Sequence, residues 1–143
     1  MTPPRLDDQL CFALYAASRA VTRAYGPMLA DLGLTYPQFL VMMALWEADG
    51  VTVSQLGRRL RLDSGTLTPL LKRLERSGML RRQRSTEDER RVLVTLTEDG
   101  RDLGSRAGEA HRALVCRLAD PDERGSVETL RDTLHALTER LSQ

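Results

Sequence analysis

The stretch VTVSQLGRRLRLDSGTLTPLLKRLERSGML, residues 51–80, restricts the fold more tightly than any other part of the chain. Leu67, Leu70, Leu71 and Leu74 recur at the three-four spacing of one helix face. Asp63 stands where such a helix needs an N-cap, and Ser77-Gly78 stands where it should stop. A shorter helix is expected over Ser54 to Leu60, with Val53, Leu56 and Leu60 on its inner side. Only Arg61 and Leu62 separate the two, so their apolar faces must oppose each other across a tight turn, a helix-turn-helix arrangement. Beyond Gly78, Leu80 to Arg84 and Val92 to Leu96 are strand-like, and the second places Val92, Val94 and Leu96 on one face. The polar connection STEDERR joins them into a hairpin. A hairpin after a helix-turn-helix makes a wing, so residues 52–96 are expected to form a winged helix-turn-helix.

Helices should flank this segment. From Asp7, the residues Leu10, Leu14, Ala17, Val21, Ala24 and Met28 keep helical spacing, with Asp7 or Asp8 placed to cap, Gly26-Pro27 to bend and Gly33 to end the run. Thr35 is placed to cap the next helix, with Pro37 in its first turn; its core FLVMMALW is apolar on nearly all sides and therefore buried, and Glu47-Ala48-Asp49-Gly50 is the exit turn. Thr97 begins a helix that Asp120-Pro121 breaks, and a last helix carries Val127, Leu130, Leu134, Leu137 and Leu141 as a coiled-coil-like seam. The expected fold is mainly α with a small β-wing, in a single domain over 1–143. The narrow seams of residues 7–33 and 97–143 exceed what one small winged domain can cover, so these helices are expected to pair in a homodimer. Packing within one chain is the alternative.

Composition sets the partners. Residues 54–91 hold eleven basic side chains against five acidic ones, a net of +6, while the rest of the chain holds ten against fifteen, a net of −5. A basic middle between acidic ends suggests a face aimed at a polyanion; a solvated charged surface is the plainer reading. No apolar run approaches the length of a membrane span, and MTPPRLDD lacks the features of a signal peptide, so a cytoplasmic protein without a membrane partner is expected. The two cysteines, Cys11 and Cys116, then read as free thiols or redox sensors. Together with His111 and His135 they match no zinc spacing, so neither a metal nor another cofactor is expected.

With the leucine stripe of the Asp63 helix facing inward, Gly65, Pro69, Lys72 and Arg76 point outward, flanked by Thr68 and Arg73. The outer face is small at its N-terminal end and basic at its C-terminal end. That gradient suits a recognition helix in the major groove of double-stranded DNA, with Lys72, Arg73 and Arg76 reaching phosphates. Ser64, Thr66 and Thr68 can hydrogen-bond bases or phosphate, and Pro69 or the Thr68 methyl can touch a thymine methyl. Pro69 also removes one helical hydrogen bond, which would loosen the start of the helix. Arg90, at the hairpin tip, suits a narrow minor groove, and Asp88 could pin it; Arg84 and Arg91 complete the candidate DNA-binding set. A plain exposed salt bridge is the alternative at the tip.

LTYPQFLVMMALWE, SQLGRRLRLDSGTLTPLLKRLERSGML and the D-x-R of Asp88-Glu89-Arg90 running into VLVTLTEDG resemble the MarR family of winged-helix regulators over essentially the whole chain. Within it, a cysteine near the start of the first helix, the tyrosine of LTYPQF and DSGTLTPLLKRLE resemble the two-cysteine organic hydroperoxide resistance (OhrR) type. The resemblance implies a homodimeric repressor that leaves a palindromic operator when an organic hydroperoxide oxidises it. It puts Cys11 in the place of the reactive cysteine, and Cys116 of the other subunit in the place of the resolving one. It puts Tyr25 and Tyr36 in the places of tyrosines that hydrogen-bond the thiolate across the dimer.

Spacing adds a constraint. Cys11 and Tyr25 lie about 21 Å apart along a continuous helix, so Tyr25 cannot reach the thiol of its own chain and would have to reach the partner's. A thiol with a pKa of about 8.5 is mostly protonated at neutral pH, and a fast sensor needs donors that stabilise its thiolate. Phe12, Phe39, Met42, Met43 and Trp46 either favour fatty or aromatic hydroperoxides around the site or are simply core. For Cys11 and Cys116 the plain alternative is packing as small hydrophobes. Two rival functions stand beside the redox repressor: a regulator released by a phenolic or aromatic ligand, and a thiol peroxidase using the same cysteines.

Overall fold

The computed structural model describes residues 1–119, 122 and 124–143. The chain divides into two compact units, Met1–Gly108 and Glu109–Gln143. Its elements in order are α1 (Leu10–Ala24), α2 (Gly26–Leu32), α3 (Tyr36–Glu47), β1 (Val51–Thr52), α4 (Val53–Leu60), α5 (Ser64–Arg76), β2 (Leu80–Arg84), β3 (Val92–Leu96), α6 (Glu98–Leu118) and α7 (Arg124–Leu141). The mainly α architecture with a small antiparallel sheet is the expected winged helix-turn-helix.

Local signals set most boundaries. Thr35 accepts the N–H of Gln38 and the Gln38 side chain accepts the N–H of Thr35, a capping box that starts α3. Thr52 and Gln55 repeat the device at α4, which begins at Val53, one residue before the expected start. Gly33, at φ 69°, ends α2 in the left-handed region where glycine carries no Cβ penalty. At the turn between α4 and α5 the same conformation falls on Arg61, at φ 57°.

Two expectations need correction. Asp7 and Asp8 do not cap the first helix: they lie in a 3-10 turn over Leu6–Asp8, and α1 starts after Gln9 without any side-chain cap bond. The single bent helix expected over 7–33 is two helices, because Pro27 fits only the first turn of a new one, and the chain breaks at Tyr25. The expected break at Asp120-Pro121 lies outside the described residues.

The sheet has the order β1-β3-β2, with both pairings antiparallel. The hairpin register pairs Leu80 with Leu96 and Arg84 with Val92. The two-residue β1, which no local pattern marks, pairs Val51 with Val94 and Thr52 with Leu93. The core of the first unit is built from Phe39, Val41, Met42 and Leu45 of α3, Leu56 of α4, the four leucines of α5, and Leu80, Val94 and Leu96 of the sheet. No single helix among the described residues is long and apolar enough to cross a membrane.

The root of α6 is fastened to this core from three sides. Thr97 donates its N–H to Met79 O and its hydroxyl to Gly78 O, and it caps α6 by accepting the N–H of Gly100. Trp46 Nε1 donates to Gly100 O at 2.8 Å. Asp49 accepts the N–H groups of Gly50 and Leu96, and its other oxygen lies 3.9 Å from Arg101 Nε.

Candidate nucleic-acid interface and thiol sites

Burying the leucine stripe of α5 turns the opposite face outward. Asp63 caps the helix by accepting the N–H of Thr66 at 2.7 Å, and that bond holds its carboxyl below the ordinary carboxylate range. Ser64, Gly65, Thr66, Pro69, Lys72, Arg73 and Arg76 are exposed and Thr68 is half-buried. The small-to-basic gradient is therefore on the surface, where a duplex groove could meet it. Lys72, Arg73 and Arg76 make no ion pair with any described residue, so their charge is available to an external anion. Pro69 sits inside α5, which stays α-helical from Ser64 onward and does not loosen at its start.

The wing tip is held by its own short-range bonds. Ser85 N–H donates to Arg91 O at 2.8 Å, and Ser85 Oγ accepts the N–H groups of Glu87 and Asp88. Asp88 shapes the tip differently from the sequence expectation. One oxygen accepts the backbone N–H of Arg90 at 3.0 Å, and the other lies 3.7 Å from Arg91 Nε. The carboxylate thus fixes the backbone at Arg90 and pairs with Arg91, which leaves the Arg90 guanidinium without an ion pair among the described residues. Arg84, the last residue of β2, donates to Glu89 O at 3.0 Å and so ties the end of the strand to the turn.

Cys11 and Cys116 are both free and exposed. Cys11 is the second residue of α1, a helix with no buried residue, and Cys116 lies in the last turn of α6. Tyr25 is buried against Tyr36, ring centroids 5.1 Å apart, and against Phe39 at 6.0 Å. Burial raises the hydroxyl pKa of both tyrosines above the ordinary value, and for Tyr25 the neighbouring Tyr36 adds to it. Both phenols therefore remain proton donors at neutral pH. Because α1 is unbroken from Leu10 to Ala24, the separation of about 21 Å between Cys11 and Tyr25 holds within one chain.

Sequence reading passed over Tyr15. It stands four residues after Cys11 on α1, where helical side chains share a face, and that i, i+4 spacing was the available signal. Its hydroxyl accepts from Arg19 Nη1 at 3.4 Å, and the Arg19 guanidinium lies 5.5 Å from its ring centroid. Of the five apolar residues considered for a peroxide pocket, Phe39 and Met42 are fully buried core. Trp46 packs edge-on to Phe39, Met43 is half-buried and Phe12 is exposed on α1.

A family model described as transcriptional regulator SarA/Rot matches residues 23–106. The chain is 45% identical over 139 residues to the organic hydroperoxide resistance transcriptional regulator of Bacillus subtilis, covering 97% of this chain and 93% of that protein. It is 49% identical over 148 residues to the transcriptional regulator TtmR of Methylorubrum extorquens, covering 94% and 71%. Among solved structures, reduced AbfR bound to DNA aligns with a TM-score of 0.84 at 36% identity, over 97% of this chain and 96% of that one. Disulfide-formed AbfR aligns at 0.71 and 38%, over 96% and 92%; AbfR is a protein of Staphylococcus epidermidis.

Proposed function

The chain belongs to the SarA/Rot family of winged-helix transcriptional regulators, and on that footing we propose that it is a redox-sensing repressor of double-stranded DNA. Two copies bind a palindromic operator, each placing α5 in a major groove and Arg90 in the neighbouring minor groove, with half-sites about 10–10.5 base pairs apart. Ser64, Gly65, Thr66, Thr68 and Pro69 meet bases, while Lys72, Arg73, Arg76, Arg84 and Arg91 meet phosphates. The copies join through their terminal helices. Exposed Leu10, Phe12, Tyr15 and Val21 on α1, and Val127, Leu130 and Leu141 on α7, supply apolar surface for this contact.

The effector is an organic hydroperoxide. The Cys11 thiolate attacks the terminal peroxide oxygen, the O–O bond breaks, and with one proton the products are a cysteine sulfenic acid and an alcohol. The Cys116 thiol of the partner subunit then displaces water from the sulfenic acid, leaving an intersubunit disulfide. Tyr25 and Tyr36 of the partner subunit hold the thiolate by O–H donation before the reaction. The disulfide needs Cα atoms within roughly 7 Å, so where the thiols start farther apart than that, closing it moves helices and changes the spacing of the two recognition helices. Operator affinity falls as a result.

The observation that carries this reading is that both cysteines are free and exposed on helices outside the winged motif, in a chain 45% identical to a regulator named for organic hydroperoxide resistance. The test uses a duplex selected from random sequence by the reduced protein. Duplex binding and non-reducing gels are followed before and after cumene hydroperoxide, for wild type, Cys11→Ser and Cys116→Ser. Loss of binding with a Cys116-dependent crosslinked dimer is expected. Undiminished binding by oxidised wild type ends the redox reading and favours release by a small ligand. A Cys116→Ser protein that forms the same crosslink removes Cys116 from the resolving role. Catalytic consumption of peroxide with a thiol reductant would instead indicate a peroxidase.

A further inference from the structure

The recognition helix and the wing are joined by a side-chain clamp that the DNA-binding residues do not include. Glu75 lies in the last turn of α5, flanked by Arg73 and Arg76, and its side chain turns away from them toward β2. Oε2 accepts the backbone N–H of Arg82 at 2.8 Å. Oε1 accepts from Arg82 Nη2 at 3.0 Å and from Nε at 3.4 Å. Among the described residues, no other side-chain hydrogen bond joins α5 to the hairpin.

The sheet order explains why the backbone bond matters. β2 is an edge strand, paired on one side only with β3, where Arg82 stands opposite Val94. An outward N–H on an edge strand has no ladder partner and must find water or a side chain. Glu75 supplies that acceptor and adds an ion pair that is partly screened from solvent, with both side chains no more than about a third exposed. These bonds to Arg82 also hold the Glu75 carboxyl below the ordinary range, the sign of a carboxylate kept charged by its partners. The anchor falls two residues before Arg84, whose guanidinium holds the tip at Glu89 O, so a chain of bonds runs from α5 to the segment that carries Arg90.

We propose that Glu75 is a positioning residue for DNA binding: through Arg82 it sets the wing at a fixed angle to α5, so that Arg90 reaches the minor groove when α5 occupies the major groove. The inference rests on the DNA-binding reading above. It concerns coupling between two contacts, not a contact to DNA by Glu75 itself. A carboxylate beside Arg73 and Arg76 that acted only as a charge would oppose DNA, and its removal would tighten binding. As a clamp, its removal weakens binding, because the wing contact is lost.

A double-mutant cycle separates these cases. Full-length protein is titrated against a duplex selected by the wild type, over a range of salt, for wild type, Glu75→Ala, Arg90→Ala and the pair. Arg90→Ala in the wild-type background should weaken binding about tenfold and lower the salt slope by about 1. In the Glu75→Ala background the same change should cost less than about threefold. Glu75→Gln keeps an acceptor for the Arg82 N–H and should fall between; it also serves if Glu75→Ala does not fold. Equal losses in both backgrounds, or tighter binding by either Glu75 variant, overturn the clamp while leaving the DNA reading intact. A wild type that selects no duplex overturns both.

Discussion

Alanine substitution at Gly100, Gly104 and Gly108 applies one chemical change at three points of α6 spaced four residues apart, and the structure predicts three different outcomes. Each exchange gains intrinsic helix propensity of at most about 1 kcal/mol. At Gly108 a Cβ would meet no atom of the described residues within 4 Å, so that gain should appear as stabilisation. At Gly104 it would lie 3.0–3.2 Å from the indole of Trp46, close enough to cancel the gain and leave a change near zero or about 1 kcal/mol unfavourable. At Gly100 it would overlap Met79 O, and that neighbour is backbone, which cannot rotate aside. Moving it disturbs the Thr97 N–H to Met79 O bond and the Trp46 bond to Gly100 O, each worth about 1 kcal/mol net. With overpacking at about 1–3 kcal/mol, Gly100→Ala should lose roughly 3 kcal/mol or more. Urea melts followed by far-ultraviolet circular dichroism, at one chain concentration, give the three differences. Emission from Trp46, the only tryptophan, reports on the joint directly. A Gly100→Ala protein as stable as Gly108→Ala would refute the claim that α6 is seated against Met79 at van der Waals limits.

Acid should weaken the winged part through Asp63 and Glu75. Both folded-state values lie below the ordinary range, so their stabilisation is present above the unfolded value and is lost as pH falls through the folded one. Glu75→Gln and Asp63→Asn should each flatten the acid limb of a thermal-stability profile, and an unchanged limb would count against those bonds. At the alkaline end, Tyr25 and Tyr36 have raised values, so their contribution is complete below the unfolded tyrosine value and declines as pH rises through the folded one. Tyr25→Phe should reduce that alkaline loss, and ultraviolet titration should show two late-ionising phenols in the wild type and one in the variant.

The elements that sequence placed best are those whose signals are local. The Asp63 cap, the leucine stripe and Gly78 delimit α5, and alternation delimits β3, because each feature acts within a few residues of itself. β1 could not be read: two residues have no pattern, and they are a strand only because Val94 and Leu93 lie opposite. Asp49 was legible as a turn residue but not as the acceptor for Leu96, 47 residues away. The Glu75 clamp was hidden for the same reason, since nothing in KRLERSGMLRRQ says which of its arginines Glu75 will face. Asp7 and Asp8 misled because two adjacent acids before an apolar stripe match a cap by composition, whereas capping depends on the backbone conformation of one residue.

On the proposed reading, the thiol site needs more than a single chain. An isolated helix of about 15 residues is marginal in water, and α1, at 15 residues, has no buried residue of its own chain and no side-chain cap. Its apolar residues Leu10, Phe12, Tyr15 and Val21 stand exposed, and ordering them without cover would cost more than the helix returns. On the proposed dimer the second copy supplies that cover and also the Tyr25 hydroxyl that Cys11 cannot reach in its own chain. The contact that keeps α1 helical is then the contact that builds the sensing pocket. Under that proposal, a disulfide between Cys11 and the partner's Cys116 would strain the helix and the dimer interface together, and a single bond between two exposed thiols would reset the spacing of two recognition helices.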